Sequence, residues 1–153
     1  MPAPVVVRAA READLEALIG LLGILFSIEA DFRPDRERQW RGLARMLADR
    51  AARTVCVAER AGAVIGMVTG QVVVSTAEGA PSVWVEDLVV VEGERGRGVG
   101  RRLLEAVAAW GLERGATRLQ LLADRENGPA LAFYERLGWR PTRLVCLRRG
   151  GAG

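Results

Sequence analysis

The chain holds 153 residues, half of them apolar, with 22 basic and 19 acidic side chains, a net charge of +3 and a sequence pI near 9.6. That length suits a single domain spanning 1–153, with 149–153 as a frayed tail, and the apolar content supplies a core without disulfides or metal. Every basic residue is Arg and there is no His, so imidazole and lysine chemistry are both excluded.

Acids and bases are interspersed. Only Arg95 to Arg102 is locally dense, which argues against a general nucleic-acid surface and for a compact polyanion. Cys56 and Cys146 each sit in an apolar run and read as reduced core residues. The start Met1-Pro2-Ala3-Pro4 is not organised as a signal peptide, and no apolar stretch is long enough to span a membrane. The expected location is cytoplasmic.

Val5 to Val7 is a short β-branched run that predicts a first strand. From Asp14 onward, Leu15, Leu18, Ile19, Leu22 and Phe26 follow helical spacing, and Leu21, Leu25 and Ile28 make a second apolar face. A helix apolar on two faces is covered twice, by the core and by a partner or a pocket. After Pro34, Trp40, Leu43, Ala44, Leu47 and Ala51 predict a second helix. The period then shortens: Thr54 to Ala58 and Val64 to Val74 read as strands around an Ala61-Gly62 turn.

Val83 to Val91 predicts a long central strand interrupted by Glu86 and Asp87, two acids that need a structural or chemical reason. Leu103, Leu104, Val107, Ala108 and Gly111 predict a third helix, Arg118 to Leu122 a strand, and Pro129 to Leu137 a fourth helix capped by Asn127 and closed by Gly138. Trp139 to Leu147 predicts a final strand or two. The order is β-α-α-β-β-β-α-β-α-β(β), a mixed three-layer α/β domain.

The segment from Val91 to Arg101 joins a buried strand to a helix and carries Gly93, Gly96, Gly98 and Gly100. Glycines let backbone N–H groups converge on an anion at a helix N-terminus. A mononucleotide P-loop needs a Lys that this chain lacks, and the dinucleotide fingerprint needs a Gly where Arg101 stands. A flexible turn with solvated arginines is the remaining alternative on residues alone.

Arg95-Gly96-Arg97-Gly98-Val99-Gly100 resembles the R/Q-x-x-G-x-G/A pyrophosphate motif of GNAT acyltransferases. Asn127 to Trp139 (Asn-Gly-Pro-Ala-Leu-Ala-Phe-Tyr-Glu-Arg-Leu-Gly-Trp) is similar to that family's N-x-x-A-x-x-x-Y-x-x-x-G-[FW] pattern without a mismatch. The element order agrees as well, so the resemblance covers nearly the whole chain. It implies a mostly antiparallel central sheet flanked by about four helices, and acetyl-CoA as co-substrate with no metal.

The implied cofactor contacts are the amides of Arg95, Gly96, Arg97, Gly98, Val99 and Gly100, followed by Arg101. The backbone of Leu88, Val89, Val90 and Val91 would pair with the pantetheine arm. A β-bulge near Asp87 would open the gap that admits it, and Asn127 either only caps its helix or also meets the cofactor.

Acetyl transfer needs a neutral amine, oxyanion stabilisation and a proton for the departing thiolate. Tyr134, the sole Tyr, falls at the family's acid position. A phenol of pKa about 10 matches a thiolate. Its alternative is a core residue beside Ala130, Phe133 and Leu137. Glu86 is the expected base, directly or through water, with Asp87 on the other face of the pleat; either acid could instead simply pair with an Arg. A backbone N–H near Val89 is the implied oxyanion donor.

The family's acceptor pocket maps to Phe26 through Trp40, where Glu29 and Asp31 could draw a cationic amine and Phe26, Phe32 and Trp40 line the wall, with Asp87 nearby. The acidic pair favours a small or polyamine-like amine. The expected activity is N-acetylation of a small primary amine. The alternatives are a peptide or protein acceptor and a non-catalytic acyl-CoA-binding module. A homodimer is expected from the two-faced first helix and the apolar last strand, with no nucleic acid or membrane as partner.

Overall fold

The computed structural model describes residues 2–29, 31 and 33–151. The chain divides into two compact units, Met1–Leu121 and Leu122–Gly153.

In the first unit, five strands form one sheet in the order β1-β2-β3-β4-β5, with β1 at Val5–Ala9, β2 at Arg53–Arg60, β3 at Ala63–Ser75, β4 at Ala80–Val90 and β5 at Arg118–Leu121. The first four pair antiparallel and β5 joins β4 in parallel. β2 turns into β3 through Ala61 and Gly62, both at positive φ (50° and 81°), which is the two-residue hairpin whose twist matches the strands. The parallel step needs a crossover, and α3 (Val99–Glu113) supplies it.

α1 (Leu15–Ile28) and α2 (Arg36–Ala48) lie on one face of the sheet. There Leu18, Leu22 and Leu43 pack with Val55, Val57, Met67 and Val89. α3 covers the opposite face, where close approach demands glycine. A Cβ on Gly70 would stand 2.5 Å from Val107 Cγ2, and one on Gly111 2.4 Å from Val83 Cγ2. The three-layer expectation is met by this unit. α2 begins before the predicted Trp40 because Asp35 caps it, accepting from the Arg38 amide at 3.1 Å.

Gln39 locks the two helices together. Its Nε2 donates to the Ile19 carbonyl at 3.2 Å, and its Oε1 accepts from the Asp35 amide at 3.0 Å. At the start of α1, the Asp14 carboxylate accepts two bonds from the Arg8 guanidinium and one from the Arg11 amide, which pulls its pKa down.

The second unit is built on α4 (Gly128–Arg136), with Asn127 as cap, Pro129 in the first turn and Gly138 at φ 90° closing it, as the sequence predicts. Trp139 to Leu147, expected as strand, forms neither strand nor helix. A strand exists only as part of a hydrogen-bonded ladder, and none is made here; Leu144, Val145 and Leu147 are left exposed. Cys146, expected in a core, is exposed with them, whereas Cys56 is buried. No helix among the described residues is long and apolar enough to cross a membrane.

Candidate active site

The sheet is irregular where the sequence places two acids in a central strand. Register between β3 and β4 shifts between Met67 and Thr69, and Asp87 adopts φ 56°. Such a left-handed residue without a glycine's freedom marks a β-bulge held by its surroundings. The bulge breaks the alternation that would have sent Glu86 and Asp87 to opposite faces. Glu86 pairs with Thr69 across the ladder, while Asp87 turns its carboxylate to the same Thr69, whose Oγ1 donates to Asp87 Oδ2 at 3.1 Å and to the Glu86 carbonyl at 3.1 Å.

The two acids therefore sit in unlike environments on one side of the sheet. Glu86 is exposed, its carboxylate accepting from Trp84 Nε1 at 2.8 Å. Asp87 lines an open cleft of about 1040 Å³ between the helical pair and the sheet, together with Leu22, Phe26, Gln39, Thr69 and Gln71. Desolvation, reinforced by the neighbouring charge of Glu86 and opposed by the Thr69 hydroxyl, lifts Asp87 from an ordinary value of 3.8 to about 6. A carboxylate so tuned is ionised near neutral pH yet basic enough to take a proton.

Among the residues expected around the acceptor, Phe26, Asp31 and Asp87 line this cleft. Glu29 is not part of the lining but contributes to the field that raises Asp87. Trp40 stays 51% exposed and outside it, because Gln39 and Leu43 are the α2 positions turned inward. Phe32 lies outside the described residues. Thr69, Gln71 and Gln39 were not singled out from the sequence. Their placement follows from strand register and from a helix cap, and neither leaves a composition signal.

The second feature is an open sheet edge. β5 pairs only with Ser82–Val85 of β4, so beyond Val85 the far side of β4 has no strand partner among the described residues. The Val91 amide donates to the Ile65 carbonyl at 2.9 Å, toward β3. By alternation Leu88 and Val90 direct their backbone groups to the open side, and Val89 and Val91 do not. The Val90 carbonyl accepts from Arg95 Nε at 2.9 Å on that side.

The third feature directly follows β4. A single 3₁₀ turn (Glu92–Glu94) leads through Gly96 (φ 75°) and Gly98 (φ 82°) into α3. Both glycines need positive φ, and neither would meet steric obstruction from a Cβ, so conformation and not space demands them here. No backbone N–H from Gly96 to Arg101 finds an acceptor among the described residues, and the first amide to bond back is that of Arg102, to the Gly98 carbonyl at 3.1 Å. Gly98 at the N-cap offers no side chain to satisfy them. A cluster of unsatisfied amides at the positive end of a helix 15 residues long is an anion cradle.

Its charges are arranged unevenly. Arg97 and Arg101 are exposed beside the loop, each near one carboxylate (Glu94 at 3.9 Å and Glu105 at 3.0 Å), whereas Arg102 is drawn to the Val5 carbonyl at 2.7 Å. Glu94 is clamped by Arg60, which fixes the turn that presents the glycines. The arrangement fits a diphosphate followed by a flexible amide-bearing arm along the open edge of β4.

In the second unit, Asn127 Oδ1 accepts from the Ala130 amide at 3.2 Å, the capping role. Tyr134 is partly buried, its ring edge-on to Phe133 (centroids 5.3 Å apart) and to Trp139 (6.0 Å). Among the described residues no group of three or more His, Cys, Asp or Glu is placed to hold a metal ion.

Known proteins share this fold. Residues 16–139 match the model of the acetyltransferase (GNAT) family. Streptothricin acetyltransferase from Streptomyces lavendulae is 42% identical over 55 residues, a match spanning 36% of this chain and 29% of that protein, so less than a third of the relative's length is represented. The aminoglycoside N-acetyltransferase AAC(6')-Iy, solved in complex with CoA, superposes with a TM-score of 0.84 at 21% identity, covering 99% of this chain and 98% of that one. Glucosamine-6-phosphate N-acetyltransferase from Arabidopsis thaliana does so with a TM-score of 0.76 at 19% identity, covering 95% and 98%. At these identities the structural likeness is one of fold. With the family model spanning most of the sequence, the chain belongs to the GNAT family of acetyltransferases.

Proposed function

We propose that the protein transfers an acetyl group from acetyl-CoA directly to the primary amine of a small molecule. The observation that carries this reading is the succession, along β4 and the turn that follows it, of the pKa-raised Asp87, the open edge after Val85 and the amide cradle from Gly96 to Arg101. The cradle would hold the pyrophosphate, and Leu88 and Val90 would pair with the pantetheine amides. Asp87 takes the role first assigned to Glu86: its carboxylate accepts a proton from the incoming ammonium, leaving a nucleophilic amine. Glu86, beside it, keeps Asp87 basic by its charge.

The neutral amine attacks the thioester carbonyl, and the bond to sulfur breaks as the tetrahedral species collapses, its surplus N–H proton passing through solvent to restore the Tyr134 phenol while Asp87 releases its own proton to water. A backbone N–H on the open side of β4, at Leu88 or Val90, supplies oxyanion stabilisation. Tyr134 is the proposed proton donor to the departing thiolate, supported by its place in the family pattern and by the lack of any His or Lys to compete. The two units are read as one acyltransferase domain, since the family match runs through both. A cytoplasmic homodimer belongs to the same reading; Ile24 and Ile28 of α1, 40% and 53% exposed, offer an apolar face for it.

The small acceptor is favoured because the relatives named above are acetyltransferases of streptothricin, aminoglycosides and glucosamine-6-phosphate. Free-thiol release from acetyl-CoA against amino sugars, aminoglycosides, amino acids, polyamines and short peptides tests it. Turnover confined to one class of small amine is expected. Turnover with peptides alone would move the acceptor to protein, and release with none would contradict the enzyme reading.

A further inference from the structure

The cleft that holds Asp87 carries more guanidinium than carboxylate. Its lining includes Asp31, Asp35 and Asp87 against Arg33, Arg38, Arg45 and Arg53. Asp35 is already engaged, capping α2 and lying 3.5 Å from Arg38 Nε. Arg33, Arg45 and Arg53 have no carboxylate within 4.0 Å among the described residues. Arg53 is the notable one. It is partly buried at the start of β2, and among the described residues its only side-chain bond is from Nη1 to the Arg45 carbonyl at 3.2 Å, which leaves most of the fork unused there.

Register places that fork on the same face as the base. Arg53 pairs with Gln71, two residues along β3 from Thr69, and Thr69 holds Asp87. Cross-strand partners and i, i+2 neighbours share a face, so Arg53, Gln71, Thr69 and Asp87 form one diagonal across the sheet beneath α1 and α2. Two strand steps across and two residues along separate the backbone positions of Arg53 and Asp87 by about 12 Å. A proton acceptor stands at one end, a guanidinium at the other, and two neutral hydrogen-bonding side chains between them.

We propose that the acceptor amine carries an anionic group, a carboxylate or a phosphate, which Arg53 binds, with Arg45 and Arg33 adding charge, while the amine rests at Asp87. This replaces the polyamine preference suggested by Glu29 and Asp31 and rests on the acetyltransferase reading above. Gln71 and Thr69 would contact the hydroxyl or amide groups in between. A guanidinium reads planar oxyanions through two parallel bonds, which makes Arg53 a specificity determinant and not merely a source of charge.

The test uses matched amines that differ only in the anionic group: an amino sugar and its phosphate ester, and an amino acid and its amide. With the wild-type chain, kcat/KM for the anionic member of at least one pair is expected to exceed its neutral counterpart by about 10- to 100-fold, the range of one charge-assisted contact. Arg53→Gln should abolish that ratio chiefly through KM, and Arg53→Lys, which keeps charge without the fork, should restore part of it. Neutral members used as well as or better than anionic ones by the wild type overturn the proposal while leaving the enzyme reading intact. So does a preference that survives Arg53→Gln.

Calorimetry with the same amines on CoA-loaded protein separates the two readings if no turnover is seen. Binding of the anionic member that depends on Arg53 upholds the site and removes the catalysis. Equal or absent binding of both members removes the site. The wild-type comparison alone decides should the Arg53 variants fail to fold.

Discussion

Asp87→Asn is expected to lower kcat by about 100-fold or more at pH 7.5, the scale of a lost general base, while making the protein harder to unfold. Both effects come from the same cause. Burial and the neighbouring Glu86 raise the Asp87 carboxyl to about 6, so ionising it in the native state is unfavourable. The folded pKa lies above the unfolded one, so the native state holds this proton more tightly. The penalty is absent below about pH 4, develops between pH 4 and 6 and is complete above pH 6.

Removing the charge should return stability on the order of 2–3 kcal/mol above pH 6 and none at pH 4. Asn also tolerates the left-handed φ of 56° and can still accept from Thr69, so misfolding does not explain a lost rate. Thermal melts at pH 4 and pH 8 beside steady-state kinetics check it. Glu86→Gln separates the two acids: turnover should persist, and the acid limb of kcat/KM should move below pH 6 as the like charge disappears. A Glu86→Gln enzyme without turnover, beside an active Asp87→Asn, would return the base to Glu86.

Tyr134→Phe carries the second large effect. With no proton donor for the thiolate, kcat should fall about 100-fold, whereas CoA affinity should change by less than about twofold, a few tenths of a kcal/mol. The phenylalanine ring keeps the edge contacts to Phe133 and Trp139, so Tm should move little. Stopped-flow acetylation with calorimetric CoA binding reads both quantities. Unchanged turnover would make Tyr134 a packing residue of α4 and leave the thiolate to a water molecule.

Much of this architecture is legible in the residues. Apolar spacing and caps mark α1, α3 and α4, and α3 is introduced by a glycine run that turns the chain and leaves its amides without acceptors among the described residues. The polar interruption Glu86-Asp87 in an apolar strand marks a place that needs a reason, and the family resemblance implies the bulge there. What alternation could not give was which acid serves the cleft, because the bulge that reorients Asp87 is itself a departure from alternation. Thr69, Gln71 and Arg53 were equally hidden, since register between strands far apart in sequence decides which side chains share a face. Leu144 to Leu147 shows the converse: the β-pattern is present, yet no ladder forms.

The central claim is that the amides from Gly96 to Arg101 hold the CoA pyrophosphate, and titration calorimetry of the wild-type chain with CoA beside pantetheine tests it most directly. CoA should bind with a Kd in the micromolar range, about −8 kcal/mol, and pantetheine, which lacks the pyrophosphate, should fail to saturate at millimolar concentration. Equal affinity for the two would place the binding energy elsewhere, and no binding of CoA at millimolar concentration would contradict the account as a whole.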